Sequence, residues 1–458
     1  MTSISLNSKL KTEIREFVQL AVPLASAQVT QSLTGFVDTV MMGRLGQEAL
    51  AAGGLASLTF LVISYTASGV VMGASPLVAE AYGEGKKTRV SVLGRQGLWL
   101  SLLIAIPVMF LIGHMDSLMI RFGQAVNIVT LANSYLDVML WGLFPVVGFA
   151  MLRSFVSGLS QARPVMAIVI GGTLFNIIGN YTLGYGKFGF PRMELAGLAL
   201  SSALAQWLMF LALVVYILKN KRLKSYQIFQ DLHRIKPTII RELLWIGAPI
   251  GIAAALESGL FAVVTYLMGI LGTEVLAAHQ IILQTTMVIY MVPLGMSFAT
   301  TVRVGQWLGQ KNFEGIRLAC YVSIYGAAIF MTLTAVALLT HSRQVVGLFL
   351  DINNPENAKV LTLATSMLTV AAFAQILDGV QKTTYGALQG LQDTRVPVIL
   401  SLISFWGIGL TGGYFLGFHI GFGGTGLWLG QSIGVAISAG CFIWRFRKLL
   451  SKNKTQPF

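Results

Sequence analysis

Three carboxylates lie inside long apolar stretches: Asp38, Glu257 and Asp378. A charge in the hydrocarbon of a membrane costs roughly 2.5–3.5 kcal/mol even on the lenient insertion scale. Carboxylates at such positions therefore indicate binding of a coupling ion or of a cationic substrate. The alternative is that each pairs with a buried Lys or Arg. The stretches around Asp38 and Glu257 have no basic residue in their interiors, but Lys382 follows Asp378 by one helical turn, so a local ion pair stays open there.

Two asparagines in another apolar stretch add polar groups. Asn176 and Asn180 are four residues apart, which places both amides on one face of a helix. They could reach Asp38 if the two helices pack together, although Asn also commonly joins helices within membranes. No HExxH or Walker A motif occurs. The chain is therefore predicted to be no enzyme and no ATP-driven pump, and to need no cofactor.

The elements that position these residues are predicted to be membrane-spanning helices. Hydrophobic residues make up 55% of the chain, charged residues 11%, and mean hydropathy is +0.73, which indicates an all-α polytopic membrane protein. A spanning helix needs about 20 apolar residues. Twelve such stretches occur, at 17–41, 50–74, 92–113, 131–152, 164–186, 195–218, 242–270, 277–301, 316–340, 361–388, 396–417 and 424–445.

An internal repeat divides the chain into similar halves. MGRLGQEALAA at 42–52 returns as MGILGTEVLAA at 268–278, an offset of 226 residues. The predicted organisation is an N-terminal lobe of six spans (1–218), a linker (219–241), a C-terminal lobe of six spans (242–445) and a basic tail (446–458). The carboxylates do not follow the repeat, because Asp38 aligns with Val264 and Glu257 with Gln31. The halves share a scaffold and are expected to do different work.

The basic residues predict the orientation. Of the 32 Lys and Arg, 26 fall on the side of the termini, and six fall on the other side, namely Arg44, Arg121, Lys187, Arg192, Arg343 and Lys359. Basic residues concentrate on the cytoplasmic side of a membrane, so both termini are predicted to be cytoplasmic. The net charge of +14 reflects this topology, and no nucleic-acid partner is expected. Two parallel repeats predict a pseudo-two-fold axis along the membrane normal and a cavity between the lobes, which suits alternating access.

Several motifs together resemble one family. They are VDTVMMGRLG at 37–46, FNIIGNYTLGYGKFGFP at 175–191, LESGLF at 256–261, LAAHQ at 276–280, LDGVQ at 377–381 and GALQGLQDTRVP at 386–397. Nearly the whole chain resembles the multidrug and toxic compound extrusion (MATE) transporters of the NorM-like bacterial branch. The resemblance implies two pseudo-symmetric six-helix lobes with the fold of the wider MOP superfamily. It also implies export of organic cations in antiport with Na⁺ or H⁺, in a monomer embedded in the bacterial inner membrane.

The resemblance also implies roles for individual residues. Asp38, Asn176 and Asn180 match the polar site of the N-terminal lobe, which serves coupling and substrate binding. Glu257 and Asp378 match the cation site of the C-terminal lobe, where Na⁺ is the expected ion. Some relatives carry a tyrosine four residues before the aspartate, and Ala374 stands there in this chain. Further residues are assigned to the cavity lining: Gln31, Gln280, Gln284, Phe261 and Tyr290.

A lipid-linked precursor flippase is the alternative function, since flippases share the wider superfamily fold. Such a protein is expected to line its cavity with several Lys or Arg that hold a pyrophosphate. Arg153, Arg303 and Lys382, the basic residues expected at membrane depth, are predicted to lie near cytoplasmic span ends. A cation exporter is therefore the preferred interpretation.

Overall fold

The chain is helical throughout the part that the structure describes. In the computed structural model this part comprises residues 2–121, 123–351 and 354–452, and no strand occurs in it. Helices satisfy every backbone hydrogen bond within one segment, which is what an apolar chain needs in lipid. The all-α prediction is confirmed.

The helices of the N-terminal half vary in length from one turn to about twelve turns. In chain order they are α1 (Thr2–Leu45), α2 (Gln47–Met72), α3 (Ala74–Gly83), α4 (Lys87–Ile112), α5 (Met115–Arg121), α6 (Val126–Gly158), α7 (Arg163–Gly179), α8 (Glu194–Lys219) and α9 (Lys221–Lys224). A π-helical segment, Asn180–Gly184, continues α7.

The C-terminal half repeats this arrangement. Its helices are α10 (Pro237–Leu271), α11 (Thr273–Gly309), α12 (Phe313–Thr340), α13 (Ser342–Gly347), α14 (Ala358–Gly390), α15 (Arg395–Ser401), α16 (Thr411–Tyr414) and α17 (Gly423–Lys452). A short 3₁₀ turn, Pro355–Asn357, precedes α14, and the π-helical segments Leu402–Leu410 and Phe415–His419 flank α16. The predicted tail begins inside α17, and its residues 453–458 lie outside the described residues.

Eleven helical stretches in the described part are long and apolar enough to cross a membrane. They coincide with eleven of the twelve predicted spans. The remaining predicted span, 17–41, is also helical and lies within α1. Its glutamines and hydroxyl residues make it less apolar than the others, and it does not belong to the eleven. The count of twelve spans therefore stays a prediction.

The chain forms two compact units. The first unit comprises residues 26–255, and the second comprises residues 1–25 together with 256–458. In the first unit α6 packs against α2, α4 and α8, and in the second unit α14 packs against α11, α12 and α17. These boundaries differ from those of the predicted lobes, because the start of α1 groups with the C-terminal half and the start of α10 groups with the N-terminal half.

Close helix packing explains why the helix starts are exchanged. In the first unit, a methyl group on Gly247 or Gly251 of α10 would collide with the backbone of α2, at Val70 and Thr66 respectively. In the second unit, a methyl group on Gly295 of α11 would collide with the backbone of Ala25 in α1. The two crossings are related by the repeat, since Gly251 and Ala25 are 226 residues apart.

A buried ion pair also anchors the start of α1 in the second unit. The Arg303 guanidinium donates to both carboxylate oxygens of Glu13, with Nε–Oε1 2.9 Å and Nη2–Oε2 2.5 Å. The Trp307 indole nitrogen donates to Oε2 at 3.0 Å. Glu13 is only 2% exposed, so the carboxylate exchanges water for three protein donors.

The repeat is visible in the backbone as well. Gly46 connects α1 to α2 with φ 129°, and Gly272 connects α10 to α11 with φ 128°. These residues are 226 positions apart, and both have a backbone conformation that residues other than glycine rarely adopt. The repeated MG-x-LG motif therefore encodes the same turn twice.

Candidate functional site

The first polar cluster lies inside the first unit and contains Asp38, Asn176 and Asn180. The Asn180 amide Nδ2 donates to Asp38 Oδ1 at 2.5 Å and to Asn176 Oδ1 at 3.3 Å. Asn180 and Asn176 are 0% and 2% exposed, and Asp38 is partly exposed. The structure thus brings together the three residues that the sequence places in one site.

A change of helix geometry occurs where this cluster is formed. Helix α7 ends at Gly179, and Asn180 is the first residue of the π-helical segment. Such wider turns interrupt regular α-helices and occur frequently at functional sites. The cluster is anchored on α8, because Asn176 Nδ2 donates to Ser202 Oγ at 2.9 Å and the Asn176 carbonyl accepts from Ser201 Oγ at 2.8 Å. Both asparagines are therefore held in place before any ligand binds.

The electrostatics of this cluster are those of a carboxylate among neutral groups. Asp38 forms no ion pair within the described ranges. Asn180 Oδ1 is buried, and no described residue donates a hydrogen bond to it. A buried acceptor without a donor is costly. The cluster can therefore accept one cation or one strong hydrogen-bond donor.

The second cluster lies inside the second unit and is centred on Glu257, midway along α10. The Lys382 ammonium contacts both carboxylate oxygens, with Nζ–Oε2 2.8 Å and Nζ–Oε1 3.0 Å. The Tyr290 hydroxyl donates to Oε1 at 2.5 Å. The expectation that Glu257 lacks a basic partner is wrong. The partner comes from α14, and the spacing of residues within α10 carries no information about it.

The Lys382 side chain is enclosed within the second cluster. It lies two turns before the end of α14, and its side chain is 9% exposed. Its Nζ is 5.1 Å from the centre of the Tyr290 ring and 6.0 Å from that of Tyr385. Aromatic faces at these distances stabilise a cation. The ammonium is thus enclosed by one carboxylate and two rings.

Asp378 completes the second cluster. It precedes Lys382 by one turn of α14, so both side chains occupy one face of the helix. Its charge interacts with those of Lys382 and Glu257. Ala374, one turn earlier, supplies no side-chain oxygen. No group of three or more His, Cys, Asp or Glu in the described part of the chain could hold a metal ion. A sodium ion at Glu257 would compete with Lys382 for the same oxygens.

The residues assigned to a cavity lining have different surroundings. Tyr290 belongs to the second cluster. Phe261, one turn after Glu257, is partly buried, as is Gln31 on α1. Gln280 and Gln284 lie one turn apart on α11 and are exposed.

Three residues that surround the first cluster were not identified from the sequence. Ser201 and Ser202 hold Asn176, and the Tyr135 hydroxyl is hydrogen-bonded to Ser202. The available signal was a pair of adjacent hydroxyls in the apolar stretch 195–218. Serine is common in membrane helices, so this signal alone does not distinguish a site from ordinary packing.

Comparison with known proteins identifies the family. The family model MatE matches residues 23–182 and 249–415. The chain is 52% identical over 457 residues to a probable multidrug resistance protein NorM of Synechocystis sp., covering 100% of this chain and 99% of that relative. It is 36% identical over 440 residues to the multidrug resistance protein NorM of Burkholderia vietnamiensis, covering 96% of this chain and 95% of that relative.

A solved structure shows the same fold. The outward-facing conformation of a MATE-family multidrug resistance transporter of the MOP superfamily superposes with a TM-score of 0.87 at 23% identity, over 96% of each chain. The matching model, the relatives and this fold agree with the motifs quoted above. The chain belongs to the MatE family and is a NorM-like MATE transporter, a multi-pass membrane protein that works as a secondary transporter and not as an enzyme.

Proposed function

We propose that this chain is a multidrug efflux transporter of the bacterial inner membrane that exports amphipathic organic cations in antiport with H⁺ or Na⁺. The NorM relatives, which are named multidrug resistance proteins, support efflux. The observation that carries the cationic substrate is Asp38. Its carboxylate is held by a neutral amide and has no ion-pair partner within the described ranges.

The proposed exchange uses the single negative charge of the first cluster. An organic cation or a coupling ion neutralises Asp38, and the two compete because the cluster provides one carboxylate. Asn180 Oδ1 offers an additional acceptor to whichever ligand is bound. The empty, charged cluster is the unfavourable species in an apolar surrounding, which discourages switching without cargo.

The driving force in this proposal comes from the gradient of the coupling ion. Exchange of one coupling ion for one monovalent organic cation moves no net charge, so the membrane potential, worth roughly 2.3 kcal/mol per charge per 100 mV, does not contribute to it. Both termini are proposed to be cytoplasmic, and the coupling ion is proposed to enter the cell down its gradient as the organic cation leaves. The protein is proposed to act as a monomer by alternating access.

The second cluster is the other candidate for cation coupling. The family resemblance implies Na⁺ at Glu257 and Asp378, because carboxylate oxygens are suitable ligands for a hard cation. The Lys382 ammonium already contacts both oxygens of Glu257. We therefore propose Asp38 as the principal coupling residue.

The test is efflux of a fluorescent organic cation from preloaded, energised cells. Asp38→Asn removes the charge with almost no change of volume and is expected to reduce efflux at least tenfold. Asp137→Asn is the matched control, because Asp137 is an exposed carboxylate on α6 of the same unit. Equal efflux from Asp38→Asn and wild type, at equal amounts in the membrane, would overturn the proposal.

A further inference from the structure

We infer that Lys382 is a tethered counter-ion that occupies the cation position at Glu257 and keeps Na⁺ out of the second cluster. The inference rests on the proposed function, because it concerns which ion this transporter can use. It assigns Lys382 as a specificity-determining residue of the second cluster.

The first support is the geometry at Glu257. Lys382 Nζ lies 2.8 Å from Oε2 and 3.0 Å from Oε1, so the ammonium covers both oxygens from one side. The Tyr290 hydroxyl already uses Oε1 as its acceptor. A sodium ion needs several oxygen lone pairs at once, and the ammonium and the hydroxyl already use three of the roughly four acceptor positions of the Glu257 carboxylate.

The second support is the enclosure of the ammonium. The Lys382 side chain is 9% exposed and lies against the rings of Tyr290 and Tyr385. An ammonium ion loses much of its hydration at such a position, and the carboxylate and the ring faces replace it. If the ammonium moved away from Glu257, it would lose both the carboxylate and the ring faces. A dissolved Na⁺ therefore has to displace a ligand that is attached to the protein.

The third support is the count of charges in the two clusters. The second cluster contains two carboxylates, Glu257 and Asp378, and one ammonium, whereas the first contains Asp38 with neutral partners. With Lys382 in place, each cluster has one net negative charge when all groups are ionised. Without Lys382, the two carboxylates would repel each other, and a monovalent cation would relieve that repulsion.

The test measures binding of radioactive sodium to the purified, full-length protein at neutral pH. Wild type is expected to bind Na⁺ at least tenfold more weakly than Lys382→Met, which keeps most of the length of the unbranched side chain and removes its charge. Lys382→Arg is expected to behave like wild type. The double variant Lys382→Met/Glu257→Gln is expected to lose the gained binding.

A surface lysine of the same unit provides the control. Lys359 is 71% exposed and pairs with Glu274, so Lys359→Met removes the same charge without creating a site and should leave Na⁺ binding unchanged. Folded Lys382→Met that gains no Na⁺ binding would overturn the inference. If Lys382→Met does not fold, the comparison of wild type with Glu257→Gln decides. Tight Na⁺ binding by wild type that Glu257→Gln abolishes would also overturn the inference.

The binding assay separates this inference from the proposed function. Binding to purified protein requires no transport, so its outcome does not depend on efflux through Asp38. If Lys382→Met fails to gain Na⁺ binding, this inference is overturned, but the proposal of proton-driven efflux through Asp38 is not affected. Conversely, normal efflux from Asp38→Asn would overturn the proposed function and leave the exclusion of Na⁺ by Lys382 standing.

Discussion

Removal of one partner of the buried ion pair Glu13–Arg303 should strongly destabilise the protein. Glu13→Gln keeps the volume of the side chain but leaves the Arg303 guanidinium buried without its bidentate carboxylate. Breaking a buried pair in this way costs about 3–5 kcal/mol. At about 2 °C per kcal/mol for a unit of roughly 230 residues, the melting temperature should fall by roughly 6–10 °C.

The assay is thermal unfolding of the purified protein in detergent, followed by loss of the monodisperse species. Two variants test the reasoning. Glu13→Leu/Arg303→Met removes both charges and should recover most of the lost stability, because apolar residues of similar volume can replace a buried pair. Arg192→Ala breaks an exposed pair with Glu194 and should cost less than about 1 kcal/mol. Equal melting temperatures for Glu13→Gln and Arg192→Ala would refute the reasoning.

Further predictions concern the helix crossing and the two clusters. Gly247→Ala should lower the amount of folded protein severalfold because its methyl group would meet the Val70 carbonyl, whereas Gly54→Ala, which meets no atom within 4 Å, should not; membrane-extracted yield compares them. Tyr290→Phe should retain folding but lower the free energy of unfolding by about 1–3 kcal/mol, because Glu257 loses a charge-assisted hydrogen bond. The fall in melting temperature measures this loss. Asn180→Leu should reduce efflux at least tenfold while Asp38 remains; unchanged efflux would separate Asn180 from the site.

The sequence was sufficient for the features that repeat or that are set by composition. The apolar stretches predicted where the helices lie, and the 226-residue repeat predicted two similar halves, which the equivalent turns at Gly46 and Gly272 reflect. Asn176 and Asn180 were recognisable as one face of a helix because their spacing is local. Their contact with Asp38 followed from the assumption that two helices pack, and the structure has that contact at 2.5 Å.

The features that the sequence could not provide depend on contacts between distant segments. Lys382 lies 125 residues after Glu257 and only four after Asp378, so local spacing left a pair with Asp378 open and did not indicate the contact with Glu257. The division at residues 25 and 255 depends on glycine contacts such as Gly247 with Val70, which appear in the sequence as ordinary small residues. Side-chain identity predicts that a buried charge needs a partner, but only packing determines which charge supplies it.

The central claim is that a cation and an organic substrate compete for the Asp38 carboxylate. The most direct measurement uses proteoliposomes that contain the purified protein and a fluorescent organic cation, with an imposed proton gradient as the only driving force. Transport is expected in wild type and in Glu257→Gln/Lys382→Met, whose second cluster has lost both partners of its ion pair, and is expected to be absent in Asp38→Asn. Proton-driven transport of undiminished rate in Asp38→Asn, or its loss only when Glu257 is changed, would contradict the account.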